Sequence, residues 1–314
     1  MPLFIEILNI VLPVFVVIGL GTLLRRIGLI DTAFVQYTNR LVYYVCLPLL
    51  LFYKIGTANF STNFNGKLVI ASVGAVAAVF LLSFVYASLR KFPVNVQGVF
   101  SQGSFRGNIA YVGLAISLNA YGEIGLTKAG ILMGFLVPFL NLFAIIALLL
   151  PHRDSGNQTS GKFWLKQLIF NPLILASFAG IVWSFLAIPL PLIAERSFNI
   201  ATGMTLPLAL IAIGGGFSLQ KLRGDIVTTA MASCAKLIIL PLIAMMLLNL
   251  LGVTGIDFGI GILIAGTPAA TANYIMAHEL RGDAELAGSI VMFSTLASAL
   301  TYTVALYLLR SGGI

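Results

Sequence analysis

Long apolar runs separated by short polar breaks make up most of this chain. A membrane span needs about 20 mainly apolar residues. Ten stretches meet that criterion, at roughly 4–24, 36–56, 67–89, 99–119, 127–150, 165–187, 198–218, 226–250, 257–278 and 286–309. The pattern predicts an all-α integral membrane protein. Two of the stretches are interrupted: the fourth by Phe105-Arg106-Gly107-Asn108, the ninth by Gly266-Thr267-Pro268. An arginine at the bilayer centre costs about 2.5–3.5 kcal/mol on insertion scales. Gly107 weakens the helix beside it, and Pro268 removes a backbone donor and frees a carbonyl. Lipid satisfies no freed backbone group, so both breaks must face protein or a water-filled cavity. The expectation is that the two broken segments meet and form a binding site.

The halves of the chain repeat. At an offset of 159, Pro13 matches Pro172, Gly21 matches Gly180, Leu47-Pro48-Leu49 matches Leu206-Pro207-Leu208, and Gly56 matches Gly215. At an offset of 160, Gly122 matches Gly282. Prolines and glycines carry much of this register, and both have backbone roles. The longest polar connection, 151–164, reads as a cytoplasmic linker between a first repeat at 1–150 and a second at 165–314. Five spans per half is an odd number, so the second half enters the membrane in the opposite sense. Many secondary transporters have such inverted five-helix repeats, with substrate sites near the midplane at discontinuous helices.

Charge sets the orientation. Eleven Lys and Arg residues fall in one set of alternate loops and five in the other. The first set is therefore cytoplasmic, and both termini face outside. Arg25 and Arg26 follow the first apolar run, so that run reads as a retained span and not a cleaved signal peptide. Of the 314 residues 59% are hydrophobic and 9% charged, against about 25% charged in soluble domains. The net charge of +8 does not point to nucleic acid, because no basic cluster interleaves with aromatics. Cys46 and Cys234 lie in apolar segments and read as small buried side chains. Zinc-protease, nucleophile-elbow and complete phosphate-loop motifs are absent, so neither an enzyme nor a metal cofactor is expected.

Within the first half the site candidates are Arg106, Gly107 and Asn108, with Asn141 on the fifth span. Arg106 offers a planar fork suited to carboxylate, and an unwound Gly107-Asn108 exposes the next half-helix N-terminus to an anion. The alternatives are that Arg106 snorkels to headgroups and that Asn108 makes a packing hydrogen bond. In the second half the candidates are Gly266, Thr267, Pro268, Thr271 and Asn273. The polar three either coordinate a ligand or re-satisfy the backbone that Pro268 frees. Lys236, inside the eighth span, pairs with an acid, binds an anion or snorkels. His278 reads as part of a solvated helix end.

Through Arg106-Gly107-Asn108 to Tyr121-Gly122, Asn171-Pro172, Leu206-Pro207-Leu208 and Gly266-Thr267-Pro268, nearly the whole chain resembles the auxin efflux carrier family. That family includes the PIN-type plant carriers and bacterial malonate-type carriers. The resemblance implies crossover helices four and nine, broken mid-membrane. It also implies a scaffold of spans one, two, six and seven, a transport domain of spans three to five and eight to ten, an elevator-type cycle and a homodimer. By motif, Asn108 and Asn141 match two asparagines that contact the substrate carboxylate, and Pro268 matches the second crossover proline. Gly107 departs from the pattern, standing where the plant carriers have proline. The fold is also similar to that of bile acid:sodium symporters. Those use a ninth-span glutamate for sodium, which the core from Ala265 to Ala277 lacks.

The expected function is secondary transport of a small organic anion, a mono- or dicarboxylate, across a bacterial-type inner membrane. The alternative is a sodium-coupled, bile-acid-like symporter. Proton, sodium or uncoupled operation stays open at this level, because sodium needs only oxygen ligands.

Overall fold

The computed structural model describes residues 2–155, 170–217 and 225–313. Residues 156–164 of the expected linker, the start of the sixth expected span, and Lys162, Lys166, Lys221 and Arg223 lie outside the described residues. The described chain is helical, and its one piece of β pairing is a single bridge.

Among the described residues, twelve helices of eight or more residues follow one another. They are α1 (Pro2–Arg26), α2 (32–56), α3 (Gly66–Leu89), α4 (Val94–Phe105), α5 (109–121), α6 (123–149), α7 (Pro172–Leu186), α8 (Leu192–Gly215), α9 (Ile226–Leu250), α10 (Gly255–Ala265), α11 (Ala272–Glu279) and α12 (Ala284–Ser311). The division between α5 and α6 is at Gly122, whose φ of 63° and ψ of −153° interrupt an otherwise continuous helix. Six helices in the described residues are long and apolar enough to cross a membrane, and α7 and α10 are apolar but shorter.

Local chemistry sets the helix starts. Asp31, Asn65, Asn171, Asp225 and Asp283 each accept backbone N–H bonds from the first turn of the helix they precede. Pro172 follows Asn171 at the first helical position, where its missing N–H costs nothing. α2 and α9 each contain a π turn, Val42–Cys46 and Ala235–Ile239, shortly before Pro48 and Pro241. Proline cannot donate into the preceding turn, and a widened turn accommodates it.

Two helix pairs pack through glycine. α1 lies on α8, where a Cβ at Gly214 would stand 1.8 Å from the Ile18 carbonyl oxygen and one at Gly21 2.3 Å from that of Ile211. α2 lies on α7, where a Cβ at Gly180 would stand 3.0 Å from the Phe52 carbonyl oxygen. Without side chains at these positions the backbones approach closely, as helices do in lipid. α3 packs on α9, and α4 on α3, α6 and α12.

Cys46 is buried, as expected, but Cys234 is exposed on its helix. In a membrane protein lipid as well as core is apolar, so hydrophobicity alone does not tell which face of a span turns inward.

Candidate functional site

The helix breaks meet. α4 ends at Phe105 and α10 at Ala265, and the chain beyond each runs extended past the other. Gly107 and Ala269 form an antiparallel bridge. Asn108 N–H donates to the Pro268 carbonyl at 2.7 Å, and Ala270 N–H donates to the Arg106 carbonyl at 3.0 Å. Each break thus satisfies backbone groups that the other leaves free, the carbonyls of Arg106 and Pro268 among them. Ala269 N–H donates to Ser294 Oγ on α12 at 3.0 Å. Ser294 was not among the expected site residues. Its signal in the sequence is the run of hydroxyls Ser289, Ser294, Thr295 and Ser298 along an apolar helix.

Arg106 ties three helices together. Its Nη1 donates to Asn273 Oδ1 on α11 and its Nη2 to Asn141 Oδ1 on α6, both at 2.9 Å. Asn273 returns a bond from Nδ2 to the Arg106 carbonyl at 3.3 Å. The guanidinium Nε is buried without a partner among the described residues. Arg106 is therefore engaged by the interior, not extended along a helix toward headgroups.

The orientation of the amides follows from the donors they face. A guanidinium only donates, so Asn141 must turn its oxygen to Arg106. Asn108 accepts Tyr111 N–H with Oδ1 at 3.4 Å, capping α5. Both asparagines spend their acceptor on the protein. Their Nδ2 donors make no protein bond among the described residues.

The end of α10 is fully occupied. The carbonyl of Leu263 accepts from Tyr302 Oη at 3.2 Å and that of Ile264 from Thr267 Oγ1 at 2.8 Å. The carbonyl of Ala265 accepts from Lys236 Nζ at 2.5 Å. These are carbonyls that a helix C-terminus leaves without helical partners. Thr267 thus serves the backbone, the blander of the two expectations for it. Thr271 precedes α11 and makes no side-chain capping bond.

Lys236 is fully buried. A Cβ placed on Gly107 would be 2.0 Å from Thr267 Oγ1 and 3.1 Å from Lys236 Nζ. Glycine at 107 is what lets Thr267 and Lys236 come this close. A narrow cavity beside them is lined by Ser72, Gly107, Lys236, Ala265 and Thr267, with apolar chains on its other walls.

The structure therefore brings Arg106, Gly107, Asn108, Asn141, Pro268 and Asn273 into one bonded group. Gly266 and Thr267 close α10 behind it, and Thr271 lies at its edge, its carbonyl accepting from Tyr274 N–H and its side chain making no bond among the described residues.

A model of the family described as "Membrane transport protein" matches residues 6–306. A protein of Rhizobium meliloti (strain 1021) named "Putative malonate transporter" is 28% identical over 316 residues, covering 98% of each chain. An "Uncharacterized transporter" of Methanothermobacter thermautotrophicus is 24% identical over 290 residues, covering 92% of this chain and 93% of its own.

Proposed function

Because the chain belongs to the membrane transport protein family, that of the auxin efflux carriers, we propose that it is a secondary transporter of small organic anions, mono- or dicarboxylates. Its family and its relatives are transporters, not enzymes. The observation that carries the anion reading is the set of donors at the crossing. Arg106 supplies a charge, and the unused amide donors of Asn108 and Asn141 stand with it at the N-terminus of α5. Helix N-termini and amide donors favour an anion. Asn273 positions the guanidinium from behind. Thr271, at the edge, is in this reading an outer contact. The name of the Rhizobium relative brings malonate into the substrate panel.

The fold we propose is ten spans in two inverted repeats, with α4–α5 and α10–α11 as crossover spans four and nine. Contacts between repeat mates support it. Thr205 Oγ1 donates to the Cys46 carbonyl, and the two residues are 159 apart. Asn108 and Pro268, bonded through their backbones, are mates at the offset of 160. Matched residues touch each other only near a twofold axis, so these bonds fit an axis through the crossing. The packing of α1 on α8 has its mate in α7 on α2. We take these four helices as a scaffold, the rest as an elevator-type transport domain, and the molecule as a homodimer through the scaffold. The site residues lie in the moving part. An inner membrane with both termini outside completes the reading, on the loop charges.

The test is thermal unfolding of detergent-purified protein with malonate, acetate, indole-3-acetate and taurocholate, each with and without sodium. The wild type should be stabilised by one class of anion regardless of sodium, and Asn108→Ala should lose that response. An unchanged response in Asn108→Ala removes that residue from the site. Stabilisation that requires sodium moves the assignment to a sodium-coupled symporter.

A further inference from the structure

From the surroundings of Lys236 we infer that its ammonium is a tethered monovalent cation, filling an oxygen-lined cation site at the end of α10 that the chain would otherwise need an ion to occupy. The lysine is fully buried, and no carboxylate pairs with it among the described residues. A buried unpaired charge is expensive, and an apolar chain of the same length is usually preferred there. What the ammonium does contact is the Ala265 carbonyl, at the negative end of the α10 dipole.

The same cavity holds other oxygens. Thr267 Oγ1 lines it, and so does Ser72, whose hydroxyl is buried without a partner among the described residues. A backbone carbonyl, two hydroxyls and a helix C-terminus make a neutral oxygen set. Such a set suits a singly charged cation, since nothing in it offsets a second charge. Lys236 has two further N–H donors beyond the one given to Ala265.

Arg106 and Lys236 do not share a task in this arrangement. Successive residues of an extended segment point to opposite faces. Arg106 reaches Asn141 and Asn273, while the missing side chain of Gly107 leaves room for Lys236. The anion donors face one side of the crossing and the tethered cation supports the other. Because the positive charge is covalently supplied, the crossing needs no bound sodium to hold its shape.

The experiment is thermal unfolding of the full chain in choline buffer, with no anion substrate in any arm, so that it is independent of the transport reading. Wild type, Lys236→Ala and Lys236→Met are compared with and without sodium or methylammonium. Sodium or methylammonium should raise the midpoint of Lys236→Ala by about 2 °C or more and leave the wild type unmoved. A folded Lys236→Ala protein that responds to neither cation overturns the inference. If Lys236→Ala does not fold in any buffer, Lys236→Met decides. Stability equal to wild type means that the charge does nothing there, and the inference falls. A clear loss, despite the removal of a buried charge, upholds it.

Discussion

Gly107 shows how one residue's size is set by its neighbours. By resemblance this position holds proline in the plant carriers, and in this chain Thr267 and Lys236 occupy the space a ring would need. Gly107→Ala should destabilise the protein by about 1–3 kcal/mol, the usual cost of overpacking. Adding Thr267→Ala should recover part of the loss, because the 2.0 Å contact is then relieved; thermal midpoints of the single and double variants decide it. Arg106 is the other residue with a sharp expectation. Its fork spans two amides on two helices, which a lysine's single ammonium cannot reproduce. Arg106→Lys should weaken anion binding at least about tenfold, the loss of one charge-assisted bond, measured by titration calorimetry with the anion that stabilises the wild type. Retained affinity would mean that charge alone, not the fork, matters. The polar character of these positions was legible in the sequence. Their partners were not, because Asn273 and Asn141 lie 167 and 35 residues from Arg106.

At the scale of elements, the caps decide where helices begin. The apolar run of the sixth expected span starts at 165, outside the described residues, and within that run a helix begins at Pro172. Asn171 is extended there, and its side chain takes the N–H groups of Leu173 and Ile174. Its Nδ2 also donates to Tyr43 Oη at 3.1 Å. Asn171→Ala should cost about 1 kcal/mol, the typical value of a lost N-cap, and Asn171→Asp should cost less; chemical or thermal unfolding distinguishes them. Hydropathy averages over a window and passes through such a break, while cap chemistry is local. The same contrast explains α10. Its end was expected from Gly266 and Pro268, but the three side chains that satisfy its last carbonyls come from α9, from α12 and from the turn itself.

Over the whole molecule, ion pairs join parts that the proposed cycle must separate. Lys54 on α2 meets Glu123 at 2.7 Å, and Arg310 on α12 meets Glu6 on α1 at 3.4 Å. Each pair links a proposed scaffold helix to a proposed transport helix. Exposed pairs of this kind are worth at most about 1 kcal/mol, so they do not lock the molecule. A covalent link would. In a chain with Cys46 and Cys234 replaced by serine, Lys54→Cys with Glu123→Cys joined by a short bis-maleimide should bind the anion normally and transport none. Transport by the linked protein would exclude a large movement between the two groups of helices.

The sequence by itself determined that this chain lives in a membrane, where its apolar runs lie, and that two of them are broken at Gly107 and Pro268. Those features are local: hydropathy, helix propensity and a missing N–H act on the residues that carry them. That the two breaks meet was an expectation from the sequence; tertiary structure alone decided how their backbones pair and that Arg106 turns inward to two amides. It alone placed Lys236 against the end of α10. A buried charge in an apolar span is compatible with lipid, core or cavity, and only the packing of helices distant in sequence selects among them.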